Sequence, residues 1–137
     1  MSAKLKYKVL MHNIEIDVEL RDSITIIGGD SSTGKSYLKT TAERHYNSQG
    51  IRKVEVFDST RPLDIKILRS LKGRLIFIDN ADILLDGKTD VQQHINKDTE
   101  NRYVLFMRSE NGIDASINEY AELKISENKI TLDYPYA

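Results

Sequence analysis

Glycine, lysine and serine recur at one informative spacing in this chain: Gly29-Asp30-Ser31-Ser32-Thr33-Gly34-Lys35-Ser36 fits Gly-x-x-x-x-Gly-Lys-Ser/Thr. The glycines let the backbone fold back so that successive N–H groups point inward, and a helix that follows turns its positive end toward the same place. Such a cradle suits the phosphates of a bound nucleotide. Gly29, Asp30, Ser31, Ser32, Thr33 and Gly34 are expected to supply the cradle, with Lys35, Ser36 and Tyr37 completing the nucleotide contacts. Lys35 should reach the β and γ phosphates. Ser36 should offer its hydroxyl to a magnesium ion, which keeps most of its water and needs only one or two protein oxygens beside those of the phosphates.

A second run, Leu75-Ile76-Phe77-Ile78-Asp79, sets four apolar residues before an acid. That is the pattern of a buried strand delivering a carboxylate at its C-terminal edge. With Ser36, Asp79 forms the expected magnesium set. Asn80 follows, and an amide can position water but cannot accept its proton. Asp82 and Asp58 are substitute acids, and Arg108 or Arg61 could sense a γ phosphate from the end of a strand. The expected catalytic set is therefore Lys35, Asp79, Asn80 and Arg108. His12, His45 and His94 show no metal-ligand spacing to one another.

These residues need elements to position them. Ile24-Thr25-Ile26-Ile27 reads as a buried strand and Ser36 to His45 as a helix with Tyr37, Leu38 and Thr41 on one side, so the glycine loop falls between strand and helix. Upstream, Leu5, Tyr7, Val9 and Met11 alternate with lysines, and Ile14, Ile16, Val18 and Leu20 alternate with acids. A two-residue turn at His12-Asn13 pairs Met11 with Ile14 and Leu5 with Leu20. It also sets Lys8 against Asp17 and Lys6 against Glu19 on the other face. The lysines thus read as a neutralised strand face, not a nucleic-acid site. Downstream come a strand over Lys53–Phe57, a helix over Asp64–Lys72 stopped by Gly73, and a capping box at Thr89-Asp90-Val91-Gln92. A strand over Tyr103–Met107 and a closing hairpin around Ser126 to Lys129 complete the chain.

Strands alternating with helices predict an α/β three-layer sandwich: a mainly parallel sheet with helices on both faces and antiparallel hairpins at the N- and C-terminal ends. Ligands in such sheets sit at the C-terminal ends of the strands, where the glycine loop, Asp58, Asp79 and Arg108 all fall. The 137 residues read as a single nucleotide-binding domain, with a formal net charge of −1 that gives no global basic signature for nucleic acid. Cysteine is absent, which excludes disulfides and thiol catalysis. No apolar segment follows the charged N-terminus and no run approaches a membrane span, so the expected location is cytoplasmic.

Together, Gly29 to Ser36 and Leu75-Ile76-Phe77-Ile78-Asp79-Asn80 resemble the phosphate-loop NTPase superfamily. The N-terminal hairpin is similar to the layout of ATP-binding cassettes. Ile78-Asp79-Asn80-Ala81-Asp82 resembles the second motif of AAA-type ATPases, and in that branch a strand like Tyr103 to Arg108 lies between the two motif strands. The resemblance covers about residues 20 to 110. It implies ATP and magnesium as ligands and an aromatic residue stacked on adenine. Tyr7 resembles that residue in position, although its alternation puts it in the hairpin core. The chain departs in having no Leu-Ser-Gly-Gly-Gln signature, no helical subdomain or lid, and Asn80 where those families carry a catalytic Glu. No Asn/Thr-Lys-x-Asp run of the guanine-specific kind is present. The function expected is ATP binding with weak or partner-dependent hydrolysis, acting as a nucleotide-dependent switch with a protein partner or a second copy. The alternatives are a small phosphotransferase using Asp58-Ser59-Thr60-Arg61 at its acceptor site, and an interaction module with a vestigial nucleotide site.

Overall fold

A computed structural model describes residues 5–28, 32–50, 53–61, 63–107, 113 and 119–135. The chain opens with the antiparallel pair β1 (Leu5–Met11) and β2 (Ile14–Leu20), in the register Leu5 to Leu20 through Met11 to Ile14. His12 and Asn13 make the turn with φ of 52° and 63°, the doubly left-handed backbone whose twist matches that of the strands it joins. Tyr7, Ile16, Val18 and Leu20 are buried on one face. On the other, Lys8 reaches diagonally to Glu15 at 3.0 Å while Lys6 stands 3.9 Å from Glu19. Asp17 instead faces Lys129 at 3.9 Å, a cation from a third strand.

The middle of the chain alternates: β3 (Ile24–Ile27), α1 (Ser32–Asn47), β4 (Val54–Phe57), α2 (Ile65–Ser70), β5 (Leu75–Ile78), α3 (Ala81–Leu84), α4 (Thr89–Lys97) and β6 (Arg102–Phe106). A hairpin of β7 (Tyr120–Ser126) and β8 (Lys129–Asp133) closes it, with Leu123 opposite Leu132 and Ile125 opposite Ile130. Asp64 caps α2 by accepting from the Lys66 N–H at 2.8 Å. The capping box at Thr89 does not form. Thr89 is already helical behind Lys88, and the Gln92 side chain donates to the Leu85 carbonyl at 2.7 Å instead of reaching back to the helix start.

The three-layer sandwich with a mainly parallel sheet is not the fold. All eight strands form one mixed sheet in the order β1-β2-β8-β7-β3-β6-β5-β4, strongly curled into a half-barrel. The two hairpins are not appendages. They make up half of the sheet, joined through a parallel β2–β8 pairing and entering the rest through a parallel β7–β3 pairing. Laid flat, the outer strands β1 and β4 would stand about 34 Å apart at ~4.8 Å per strand. Yet α1, a cylinder of about 10–12 Å, touches β1, β2, β7 and β4. The sheet must therefore wrap round α1.

Two cores follow. The concave one packs Leu38, Ala42 and Tyr46 of α1 against Tyr7, Ile16, Val18, Ile130, Phe77 and Phe106. The second lies on the opposite face, where among the described residues α2, α3 and α4 cover the strands from β3 to β4, with Tyr120 of β7 at its border. Ile24–Ile27, Leu75–Ile78 and Tyr103–Phe106 are consequently buried at every position. The hairpin strands, with charged or polar residues at most alternate positions, have only one face to cover, in keeping with a helical layer that lies against the other strands. Among the described residues no helix is long and apolar enough to cross a membrane.

Candidate functional site at the ends of the parallel strands

The level register of β3, β6, β5 and β4 aligns their C-terminal ends: Ile27 stands beside Phe106, Leu105 beside Ile78, and Ile78 beside Phe57. The residues that follow those ends share one edge with the first turns of α1. β3 ends at Ile27 and α1 begins at Ser32, so the glycine run spans the step from strand to helix. Gly29, Asp30 and Ser31, and likewise Arg108, lie outside the described residues; of Ser32, Thr33 and Gly34 only the helical backbone is described. The first turn of α1 itself carries no acidic side chain that would offset the positive end of the helix. Lys35 is half-buried, with its ammonium 5.6 Å above the Phe106 ring. That ring stacks on Phe77 at 6.3 Å. Among the described residues Lys35 has no carboxylate partner.

β6 lies between β3 and β5, so Asp79 stands about 10 Å from the end of β3, two strand spacings away. Its backbone continues the ladder by donating to the Phe57 carbonyl at 2.9 Å, and one carboxylate oxygen accepts from the Asn80 N–H at 3.0 Å. The other oxygen is 3.5 Å from the ammonium of Lys39. Asp58 turns back on its own loop and accepts from the Thr60 hydroxyl at 2.6 Å, the Thr60 N–H at 2.8 Å and the Arg61 N–H at 3.1 Å. Those bonds, the Thr60 hydroxyl first, hold its carboxyl below the ordinary range, which makes it a weak proton acceptor.

Asn80 adopts a left-handed backbone, φ 48° and ψ 47°, ahead of α3, and its side chain makes no capping bond. Asparagine tolerates this conformation, which costs most other L-residues about 1–2 kcal/mol. Its identity thus has a backbone reason as well as a chemical one. Asp82 sits in the first turn of α3, partly exposed. Arg61 is committed elsewhere: its guanidinium lies 4.5 Å from the Phe57 ring centre, donates to buried Glu55 at 2.9 Å and covers the Val56 carbonyl at 3.3 Å. It fastens the free edge of β4.

Tyr37 packs at the border of the concave core, its ring 6.5 Å from that of His12 in the first hairpin turn. Tyr7 is buried under α1 and donates to the Leu38 carbonyl at 3.2 Å, so its ring is spent on the core. A cavity of about 410 Å³ runs along the edge of β4, lined by Glu43, Asn47, Val54, Glu55, Val56 and Arg61. Its two carboxylates make it a poor host for phosphate. No protein-family model matches this chain, and no curated protein matches it.

The donor set suits magnesium in kind. A hydroxyl at Ser36 and a carboxylate at Asp79 are hard oxygens, and an ion that retains several waters and binds phosphate asks for no more. Among the described residues no cluster of three or more His, Asp or Glu side chains offers a self-sufficient metal cage, so an ion there would depend on the nucleotide. The Lys39–Asp79 contact, between residues far apart in sequence, is the feature of this edge that spacing alone does not disclose. The only trace in the sequence is that Lys39 follows Lys35 by one helical turn.

Proposed function

We propose that the chain binds ATP through Gly29 to Ser36 and acts as a nucleotide-dependent switch whose own hydrolysis is slow or waits on a partner. The observation that carries this reading is the glycine motif itself, which starts just past the end of β3 and runs on into α1 from Ser32, with a cation at Lys35 that no described carboxylate neutralises. A helix whose first turn carries no acidic residue, and an ammonium with no carboxylate partner among the described residues, favour a multiply charged anion. The apolar, aromatic floor under Lys35 lowers the local dielectric and strengthens that attraction.

In this reading the loop N–H groups and Lys35 bind the phosphates. Ser36 and Asp79 would hold magnesium, which supplies charge neutralisation on the phosphate oxygens when bound. Asn80 orients water without taking its proton, and Arg108 is assigned as the γ-phosphate sensor. The missing proton acceptor is the reason to expect slow turnover, and a second copy or another protein acting in the cytoplasm is the proposed source of what is missing. ATP is preferred over GTP because the sequence carries no guanine-reading Asp motif. The phosphotransferase alternative loses ground, since Asp58 and Thr60 are bonded to each other in a closed turn.

Equilibrium binding of labelled ATP, with and without magnesium, tests the reading, and phosphorus NMR of the products separates hydrolysis from transfer. Saturable binding with slow phosphate release is the expected outcome. Absence of binding would leave the loop vestigial, and transfer to an added acceptor would favour the phosphotransferase.

A further inference from the structure

Lys39 belongs to no motif, yet it is the side chain that Asp79 meets. It lies one helical turn beyond Lys35 on α1, with its ammonium 3.5 Å from the Asp79 carboxylate and the two side chains 18% and 29% exposed. Its charge also acts on Asp58 at the end of the neighbouring strand. The C-terminal end of β5 thus faces a cation that belongs to the helix following the glycine loop. A magnesium ion, or a water held on it, would draw on the same carboxylate whose one oxygen Lys39 faces, the other being held by the Asn80 N–H, so the two cations compete.

We propose that Lys39 is a built-in counter-cation for Asp79, a positioning residue that makes nucleotide binding at this site largely independent of magnesium. This rests on the nucleotide reading above and revises one part of it: Asp79 pairs with Lys39 ahead of magnesium, which leaves Ser36 as the metal's protein oxygen unless the ammonium is displaced. Metal arriving at Asp79 must first displace the ammonium, and by reciprocity the presence of the ammonium must lower what magnesium adds to nucleotide affinity. Removing the lysine frees the carboxylate and should expose a magnesium dependence that the parent protein hides.

The test is titration of a fluorescent ATP analogue into the full chain, in EDTA and in millimolar magnesium. The parent, Lys39→Gln, Lys39→Arg, Asp79→Asn and the Lys39→Gln/Asp79→Asn double variant are compared. Magnesium is expected to improve the parent's affinity by less than about threefold and that of Lys39→Gln by about tenfold or more, a coupling of ordinary size. Lys39→Arg keeps the charge and should behave as the parent does. The double variant should lose the dependence again, because the carboxylate that magnesium gained is gone. A merely structural role for Lys39 would weaken binding equally in both buffers. Equal weakening, or a parent already tenfold dependent on magnesium and unchanged in Lys39→Gln, would overturn the proposal. If Lys39→Gln does not fold, a parent affinity that gains less than threefold from magnesium supports the proposal and a tenfold gain overturns it. Failure of the parent to bind in either buffer would instead remove the nucleotide reading itself, and this proposal with it.

Discussion

Asn80 shows how one position answers to two constraints. On the proposed nucleotide reading it follows the carboxylate of Asp79 where a general base would serve hydrolysis, and its backbone is left-handed at φ 48°. A glutamate there would bring the missing acid and also strain. Asn80→Glu should therefore lower folded stability by about 1–2 kcal/mol. Asn80→Gly should be nearly neutral, since glycine accepts this backbone freely. Thermal melts of the pair check this, and equal melting temperatures would mean that the turn relaxes. General-base assistance is worth about 10² to 10⁴ in rate, so phosphate release should rise in Asn80→Glu despite its lower stability. An unchanged rate would place the limiting group on a partner. Lys35 and Lys39, four residues apart on one helix, divide the labour: the second is paired with Asp79 and the first is not. Nothing in their spacing distinguishes them, because the difference is made by β5, which the chain brings alongside only in the folded state.

At the scale of elements, the junction of α4 and β6 is held by one carboxylate. Asp98 accepts from the Tyr103 hydroxyl at 2.6 Å, the Asn101 amide at 2.7 Å and the Glu100 N–H at 2.8 Å, and His94 stands 3.6 Å away. Asn101 carries the tie onward, accepting from the Arg74 N–H at 2.9 Å and donating to the Leu71 carbonyl at 2.8 Å. Burial alone would raise the Asp98 carboxyl, but the bonds from Tyr103 and Asn101 outweigh it and hold the group below its ordinary value of 3.8. A depressed carboxyl contributes stability that is fully present above the unfolded value and is lost as pH falls through the folded one. Asp98→Asn should cost about 1–3 kcal/mol at neutral pH by leaving buried donors unpaired, and its stability should fall less steeply than the parent's between pH 5 and 2. Parallel acid limbs in denaturant unfolding would show that Asp98 is not the group responsible. Elements of this kind were legible where periodicity was strong. The lysine–acid alternation from Leu5 to Leu20 specifies the hairpin register on both faces at once, and Leu75 to Asp79 announces a buried strand with a polar end. Thr89 to Gln92 misled because the same four residue types serve a helix that starts one residue earlier, with Gln92 spent on Leu85.

For the whole molecule, the consequential feature is the curl that lets one helix touch both outer strands of the sheet. The sequence held half of it. Charges at alternate positions of β1 and β2 forbid a second covered face, so a three-layer sandwich could extend only under β3 to β4. The pairings of β2 with β8 and of β7 with β3 were not readable, because they join segments far apart in the chain through backbone bonds that carry no residue code. Since α1 is both the post inside the half-barrel and the helix that begins at the glycine motif, packing and binding should be coupled. Leu38, fully buried against the concave face, should cost about 2–5 kcal/mol as Leu38→Ala, and ATP affinity should fall with it at temperatures where the variant remains folded. Unaltered affinity in a clearly destabilised variant would separate the two roles of α1. The nucleotide reading itself is tested most directly by calorimetric titration of ATP into the parent and into Lys35→Ala. With the fold verified by circular dichroism, the variant should bind at least about tenfold more weakly, or about 1.4 kcal/mol. Equal affinity in the two proteins, or no binding by the parent, would contradict it.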